Sequence, residues 1–472
     1  MLKKSKFIIE SKKYKDGCVL IYSTRSSKAV LLSDEDYSAV FEKKDYSANK
    51  YLIEKLIQSQ ILLDEKLDEY QELKSNRENE ANRLNQLRIC NYVIAPTMDC
   101  NARCFYCFEH GAHHEAMSIR TADQLIKFII QHSAGETISI HWFGGEPLME
   151  KALIQHIILG LRSGGVRFVS KITSNGFFLN EDIIQLAKKQ WNVQQIQVTI
   201  DEIGDKYNAI KQYQNTDVAD PFLHVMTNIE KALEAGIKIR IRINYNPLYP
   251  EKVKTIMEYI LDRFRAYSDL GFHAQPIFSD NVESMAKRYL DLDQHPFLTV
   301  IEYEEAYDYK RNNEIVNLPH GESTIGRFTP WCNPGVYYSR SKTDRILSKH
   351  YLFPSPVHCL GVFNSSIAID SLGDIYVCQR LLGQGKSMAS GNVYSGIDQN
   401  RILRWFQDTD ITNDKCKHCS LLPICQGGCK FKAATYKVNH SCSDIKAIQE
   451  DALLHAMQEI ECRVGSLSDV II

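Results

Sequence analysis

The hydrophobic pattern changes rhythm along the chain. In the first 32 residues the apolar positions alternate or cluster in short β-rich runs at 6–10, 18–23 and 28–32. Asp16-Gly17 separates the first two runs as a hairpin turn. Ser33, with Asp36 three residues on, predicts a capped helix running to about Phe41. Ser47 predicts the cap of a second helix ending near Ser59, followed by a short strand at 61–63. A charged helix over 65–87 then reads as a solvated connector, and a domain boundary falls near residue 85.

From Asn91 the pattern becomes strand, loop, helix, repeated. Strands are expected at 91–97, 137–143, 168–173, 195–200, 238–245 and 271–277. Helical periodicity fills the gaps near 118–132, 149–163, 181–190, 221–235 and 250–265. Six such units imply an α/β fold, a parallel sheet able to close into an open barrel. Ligands of such sheets sit at the C-terminal strand ends. Residues 281–358 are a poorly patterned, tyrosine-rich connector. Beyond residue 359 the chain is loop-rich, with a short β pair at 367–370 and 375–378 turned by Leu372-Gly373-Asp374, and a helical stretch at 443–463.

Composition adds little until the cysteines. The 472 residues are 44% hydrophobic and 24% charged, as expected of a folded multidomain protein. A net charge of −2 gives no bulk electrostatic reason to bind nucleic acid or an anionic membrane. Met1 to Ile9 lacks the apolar stretch of a signal peptide, and no run approaches the ~18 apolar residues of a membrane span. The expected compartment is therefore the cytoplasm, where thiols stay reduced. The 14 cysteines are bunched: three at Cys100, Cys104 and Cys107, none from residue 108 to 331, then seven from Cys359 to Cys442. Cys18, Cys90, Cys332 and Cys462 stand apart. Two dense groups on a long chain read as metal sites rather than as disulfide staples.

Cys100-x-x-x-Cys104-x-x-Cys107 directly follows the first strand of the repeating region. Three thiolates can hold three irons of a four-iron cube and leave the fourth iron open. Zinc, with its preference for four ligands, is the alternative on spacing alone, and His110, His113 and His114 lie nearby. The run Asp99-Cys100-Asn101-Ala102-Arg103-Cys104-Phe105-Tyr106-Cys107 resembles the signature of the radical S-adenosylmethionine (SAM) enzymes, including the aromatic residue before the third cysteine. The resemblance implies a 4Fe–4S cluster whose open iron chelates SAM, one-electron cleavage of that cofactor, and a 5′-deoxyadenosyl radical that abstracts a substrate hydrogen. It also implies cofactor contacts at Tyr106; at Gly144, Gly145, Glu146 and Pro147 for the amino group; at Ser174, Asn175, Thr199 and Asp201 for the carboxylate and ribose; and at Arg242 and Asn244. Glu202 departs from the pattern, since the family often has glycine there. No catalytic acid or base is legible.

The order Cys359, Cys378, Cys416, Cys419, Cys425, Cys429, Cys442 resembles the SPASM auxiliary-cluster domain of peptide-modifying radical SAM enzymes. By that resemblance Cys416, Cys419, Cys425 and Cys442 hold one auxiliary 4Fe–4S cluster, and Cys359, Cys378 and Cys429 hold a second, giving three clusters in all. The second lacks a fourth cysteine; an open iron, a non-cysteine ligand or Cys332 completes it. Residues 1–85 resemble, in element order, the winged-helix-like leader-recognition module of ribosomal-peptide maturases, which captures a peptide by strand addition. The expected layout is thus 1–85 leader module, 86–280 partial (β/α)6 radical SAM barrel, 281–358 connector and 359–472 SPASM domain. The expected activity is hydrogen abstraction from a precursor peptide with a leader, followed by a thioether or carbon–carbon cross-link, with the auxiliary clusters taking the electron. The resemblance implies an external electron donor such as flavodoxin or ferredoxin. The alternatives are a formylglycine-generating anaerobic sulfatase maturase and, in another class, a zinc-binding interaction protein.

Overall fold

The structure is a computed structural model. It describes residues 1–10, 19–26, 28–47, 49–83, 89–107, 109, 114–133, 135–246, 251–277, 337–339, 366–407, 411, 414–425, 427 and 431. The expected turn at Asp16-Gly17, the helical stretch at 443–463, His110, His113, and Cys18, Cys332, Cys359, Cys429, Cys442 and Cys462 lie outside the described residues, as does most of 281–358.

The N-terminal part contains two small sheets. Strand β1 (Leu2–Lys4) pairs antiparallel with β5 (Leu62–Asp64), a pairing that the hydrophobic pattern does not show. Strands β2 (Ile8–Glu10), β3 (Val19–Ser23) and β4 (Lys28–Leu32) form an antiparallel sheet in that order, so among the described residues β4 is an edge strand. The Ser33 hydroxyl accepts from Asp36 N and starts α1 (Asp34–Tyr37), which continues as a π-type turn to Glu42. Asn49, not Ser47, caps α2 (Lys50–Gln58): its Oδ1 accepts from Leu52 N, while Ser47 bonds back to Asp45. Leu52, Ile53 and Leu56 then meet Val30, Leu32 and Ile61 in a small core. The charged helix is α3 (Glu69–Arg83), whose first two residues, Glu69 and Tyr70, are buried.

The main sheet follows the expected rhythm. Strands β6 (Asn91–Ile94), β7 (Ile138–Trp142), β8 (Phe168–Ser174), β9 (Val193–Thr199), β10 (Lys238–Tyr245) and β11 (Leu270–Pro276) lie side by side in chain order, each parallel to the next. Between them run α4 (Ile119–His132), α5 (Lys151–Ser163), α6 (Glu181–Lys189), α7 (Asp205–Lys211), α8 (Pro221–Glu234) and α9 (Glu251–Arg263). Ser118, Asn180 and Asp220 cap α4, α6 and α8 by accepting N–H bonds from the first helical turn. Alternate strand residues such as Ile140, Ile172, Ile196 and Ile241 pack with Leu125, Ile154, Ile184 and Ile229 from the helices in one core. Helices on one face of a sequentially ordered parallel sheet make a singly wound, barrel-type fold, and the other face becomes its lumen.

The sheet does not stop at the barrel. Strand β12 (Tyr337–Ser339) adds antiparallel to β11. Strand β13 (Ser366–Ile369) pairs parallel with β6, and β14 (Ile375–Tyr376) pairs antiparallel with β13, giving nine strands. The tight turn between β13 and β14 needs Gly373, whose φ is +81°. Strands β15 (Gly391–Asn392) and β16 (Gly396–Ile397) form a further hairpin. No helix among the described residues is long and apolar enough to cross a membrane.

Candidate active site

After β6 the chain turns across the C-terminal end of the sheet and presents Cys100, Cys104 and Cys107 on one loop. Local bonds shape it: Asp99 N donates to the Thr97 hydroxyl at 3.0 Å, Cys100 N to Asp99 Oδ1 at 2.8 Å, and Cys107 N to Cys104 O at 3.2 Å. Ala102 N reaches the Cys100 sulfur at 3.4 Å. The loop is also tied to its neighbours. Gly145 N donates to Thr97 O at 3.2 Å, Glu146 N to Asp99 O at 2.8 Å, Arg103 N to Lys211 O at 2.7 Å and Gln214 N to Asn101 O at 2.7 Å. Gly144 and Gly145 are where this approach is closest. A Cβ on Gly145 would lie 2.0 Å from Asp99 O, and one on Gly144, where φ is +106°, 2.4 Å from Thr97 O. The two glycines therefore serve contact between the β7 end and the cysteine loop.

The strand ends beyond carry two linked polar networks. In the first, Glu146 is fully buried and accepts from Leu148 N, from the Ser174 hydroxyl at 2.9 Å and from Asn175 N at 2.7 Å. Burial pushes its carboxyl up to about 7, against those hydrogen bonds. Pro147 is buried at the start of the short turn that follows. The Asn175 amide donates to Asn101 Oδ1 at 2.8 Å and reaches the Cys100 sulfur at 3.7 Å. In the second network, Tyr106 and Lys211 converge on Asp201. The Tyr106 hydroxyl donates to Asp201 Oδ2, and Lys211 Nζ lies 2.8 Å from the same oxygen and 3.1 Å from the Tyr106 hydroxyl. Asn244 N donates to Asp201 Oδ1 at 3.1 Å, and Arg242 Nε donates to Asn244 Oδ1 at 2.8 Å. Lys211 and Asp201 side chains are each only 2% exposed. Burial opposes the Lys211 charge, but Asp201, Tyr106 and Cys104 together hold its pKa well above the ordinary lysine value.

The cysteine thiols themselves are in a place that resists ionisation. Burial pushes Cys100 up, and Glu146 and the other two thiols push it further; burial also raises Cys104. Among the described residues, no three His, Cys, Asp or Glu groups converge closely enough for a single metal ion. A four-iron cube asks for less, since each thiolate meets a different iron and the cationic metal draws off the proton. The donor set of three neighbouring, unbridged thiols fits such a cluster.

Residues 94–262 match the family model described as "Radical SAM superfamily". This chain carries a radical SAM domain. A probable GTP 3′,8-cyclase of Methanococcus maripaludis strain C5 is 27% identical over 157 residues, which are 33% of this chain and 49% of the cyclase. The match thus spans about half the length of that relative. A cysteine-type anaerobic sulfatase-maturating enzyme of Clostridium novyi is 23% identical over 363 residues, 73% of this chain and 88% of the relative. The solved structure titled native anSMEcpe with bound AdoMet and Kp18Cys peptide superposes with a TM-score of 0.51 at 14% identity, covering 79% of this chain and 99% of that one. That likeness bears on the fold.

Within the radical SAM domain, the structure brings Tyr106, Glu146, Ser174, Asn175, Asp201, Arg242 and Asn244 into the two networks, and Thr199 stands beside Arg242 in register. Sequence reasoning missed Lys211. Its helix is seven residues long, begins after Gly204 at φ +59° and has too short a period to read. Glu109 was missed as well: it is buried, and burial pushes it up to about 8 against the pull of Arg380. His114 is exposed and lies 3.5 Å from Asp99.

Of the seven cysteines from Cys359 to Cys442, Cys378, Cys416 and Cys419 are described with their side chains and carry no disulfide. Cys378 follows β14 and packs at the edge of a cluster with Met98, Phe143 and Tyr376. Cys416, 7% exposed, lies in a different cluster with Phe7, Tyr70, Ile411 and Leu422. The second cluster joins the N-terminal part to the cysteine-rich segment. The Thr24 hydroxyl donates to Ser420 O at 2.6 Å, and the Tyr70 hydroxyl to Ile411 O at 3.2 Å.

Proposed function

We propose that this chain is a peptide maturase. The observation that carries the reading is the tethering of one three-cysteine loop to successive strand ends, through Gly145 and Glu146, Asn175, and Tyr106 on Asp201. The thiols then sit at the mouth of the lumen, as a radical reaction sheltered from water requires. A 4Fe–4S cluster held by Cys100, Cys104 and Cys107, with SAM bound, would supply a hydrogen-abstracting 5′-deoxyadenosyl radical. In this reading the cofactor contacts are Tyr106, Gly144, Gly145, Glu146, Pro147, Ser174, Asn175, Thr199, Asp201, Arg242 and Asn244. Because Glu146 and Asp201 are already bonded within the protein, they act largely by fixing the loop, Asn175 and Tyr106. The substrate is a ribosomally made precursor peptide and the product a thioether or carbon–carbon cross-link. The seven later cysteines, Cys359, Cys378, Cys416, Cys419, Cys425, Cys429 and Cys442, hold two auxiliary clusters that accept the second electron, and a flavodoxin or ferredoxin supplies the first.

Support for a leader site comes from β4, which among the described residues pairs only with β3 and offers its other edge to an added strand. A second reading, formylglycine formation, is favoured by the extent of the match to the sulfatase-maturating relative. Two assays decide. Anaerobically reconstituted protein should hold about ten or more irons, given about four per cluster. With dithionite and SAM it should release 5′-deoxyadenosine, and Cys104→Ala should abolish that release. Zinc in place of iron, or full activity in Cys104→Ala, rejects the reading. A cysteine-bearing sulfatase peptide converted to the aldehyde would favour the second reading over cross-linking.

A further inference from the structure

The Asn175 side chain has an orientation that its expected cofactor contact does not explain. Phe177 N donates to Asn175 Oδ1 at 2.9 Å, so the amide nitrogen must face the other way. There Nδ2 donates one hydrogen to Asn101 Oδ1 at 2.8 Å. The same nitrogen lies 3.7 Å from the Cys100 sulfur, within reach of its second hydrogen. The backbone of Asn175 is held as firmly. Its N–H donates to the buried Glu146 carboxylate at 2.7 Å, and its carbonyl accepts from the Tyr213 hydroxyl at 3.3 Å. A second lone pair on Oδ1 is left for the cofactor.

Cys100 thus faces two amide donors, Asn175 Nδ2 and, at 3.4 Å, Ala102 N. Asn101 adds a third amide beside it. Asn101 is 8% exposed, its Oδ1 is taken by Asn175, and among the described residues its own Nδ2 has no acceptor. A buried orphan donor next to Cys100 fits an acceptor that arrives with the cluster. A thiol is a weak acceptor, whereas an iron-bound thiolate draws N–H groups more strongly. Hydrogen bonds to the sulfurs are among the factors that set the reduction potential of a 4Fe–4S cluster. Reduction adds negative charge, and the donors stabilise it.

We propose that Asn175 is a positioning residue whose amide, aimed at the Cys100 sulfur, raises the reduction potential of the radical SAM cluster. One electron from the external donor, a flavodoxin or ferredoxin, converts the cluster from its 2+ to its 1+ state. An N–H on a ligating sulfur favours the more negative state, so that electron enters more easily. The inference rests on the cluster assigned to Cys100, Cys104 and Cys107 in the proposed function. It is independent of the peptide and of the bond formed.

The test uses the full chain, reconstituted with iron and sulfide and free of SAM. A redox titration is followed by electron paramagnetic resonance. The signal measured is the one missing from Cys104→Ala, which separates it from any auxiliary cluster. Asn175→Ala should reduce about tenfold less favourably at a fixed poise, a fall of about 59 mV for a one-electron couple. Asn101→Ala leaves Phe177 N to hold the Asn175 amide, and should shift the potential by less than half as much. Electron–nuclear double resonance in D2O should show an exchangeable deuteron that Asn175→Ala lacks and Asn101→Ala retains. An unchanged potential in iron-replete Asn175→Ala overturns the proposal. Equal shifts in the two variants overturn it as well, because they trace the effect to the Asn101–Asn175 pair and not to the sulfur. If Asn175→Ala does not load iron, Asn175→Asp decides the same question. It keeps an acceptor for Phe177 N and lacks the donor, so its potential should fall by at least as much, and an unchanged value rejects the role. A wild type with no Cys104-dependent signal rejects the cluster assignment itself, whereas a normal signal that ignores Asn175 rejects only the tuning.

Discussion

Gly145 and Lys211 show how differently two residues of one site can be read. Gly145 stands in a Gly-Gly-Glu-Pro run that the sequence marks as a strand end, and the structure gives the reason: there is no room for a Cβ against Asp99 O. Gly145→Ala should therefore cost on the order of 3 kcal/mol, the upper range for overpacking, and should lower the iron content as well as the Tm. Normal iron loading at an unchanged Tm would contradict the close approach. Lys211 has no such signal, because its partner Asp201 lies on the preceding strand end and the ion pair exists only after folding. Lys211→Met leaves a buried carboxylate unpaired and should destabilise by about 3–5 kcal/mol. Adding Asp201→Asn should restore part of that loss, which a double-mutant cycle in urea would measure; strict additivity would mean the pair is not coupled. His141 makes a pH prediction. Burial, and then Lys171, hold its pKa well below the ordinary 6.5, while its Nε2 lies 2.8 Å from the Thr173 hydroxyl. The unfolded chain takes up a proton below about pH 6.5 and the folded chain does not, so this stability is present above that pH and lost as the pH falls. His141→Gln should flatten the dependence of Tm on pH between about 5 and 7; an unchanged profile would remove His141 as its source.

At the scale of elements, the six parallel strands and the principal helices were legible because each has one face on the core. Period 2 in the strands and period 3.6 in α4, α5, α6, α8 and α9 then record burial directly. Helix α3, read as solvated, departs from that reading only at its start. Its composition is that of a solvated helix, yet Glu69 is buried by the Ser5 hydroxyl, Lys6 N and Arg25, all more than 40 residues away in sequence. Tyr70 then packs with Cys416 and bonds to Ile411 O. No local pattern reports a partner that distant. Tyr70→Ala should cost about 3–5 kcal/mol, as for other large aromatic truncations, and should speed alkylation of Cys416 in cluster-free protein. Unaltered Cys416 reactivity would show that α3 does not cover that thiol. The same contact bears on the proposed leader binding: deleting residues 1–85 would strip the cover from Cys416 along with the proposed peptide site. A charge or proline placed on the β4 edge that is unpaired among the described residues tests the proposed leader site alone.

At the scale of the whole molecule, the chain's stretches are less separable than the changes in sequence rhythm imply. The β pair with its Gly373 turn was legible, but its attachment to β6 was not, because a hydrophobic pattern fixes which face a strand buries and not which neighbour it joins. Four register pairs join β13 to β6, and Ala95 N donates to Ile369 O at 2.9 Å just beyond them. Val93, Ala95 and Met98, at the root of the cysteine loop, pack with Ala368, Tyr376 and Leu381. The hairpin itself is braced by Asp370, whose carboxylate accepts from Leu372 N, Asp374 N and the Tyr376 hydroxyl. A chain ending at residue 280 would expose the β6 edge and this apolar face together, the combination that drives edge-to-edge association. It should aggregate on expression, and supplying residues 360–472 in trans should recover soluble complex by pairing β13 with β6. A monomeric, cooperatively folding 1–280 fragment by size-exclusion chromatography and thermal melting would show instead that the barrel completes itself without the cysteine-rich segment. Because β6 leads straight into Cys100, the same pairing also sets how rigidly that loop is held. The soluble complex should therefore recover iron binding at Cys100, Cys104 and Cys107 along with the fold.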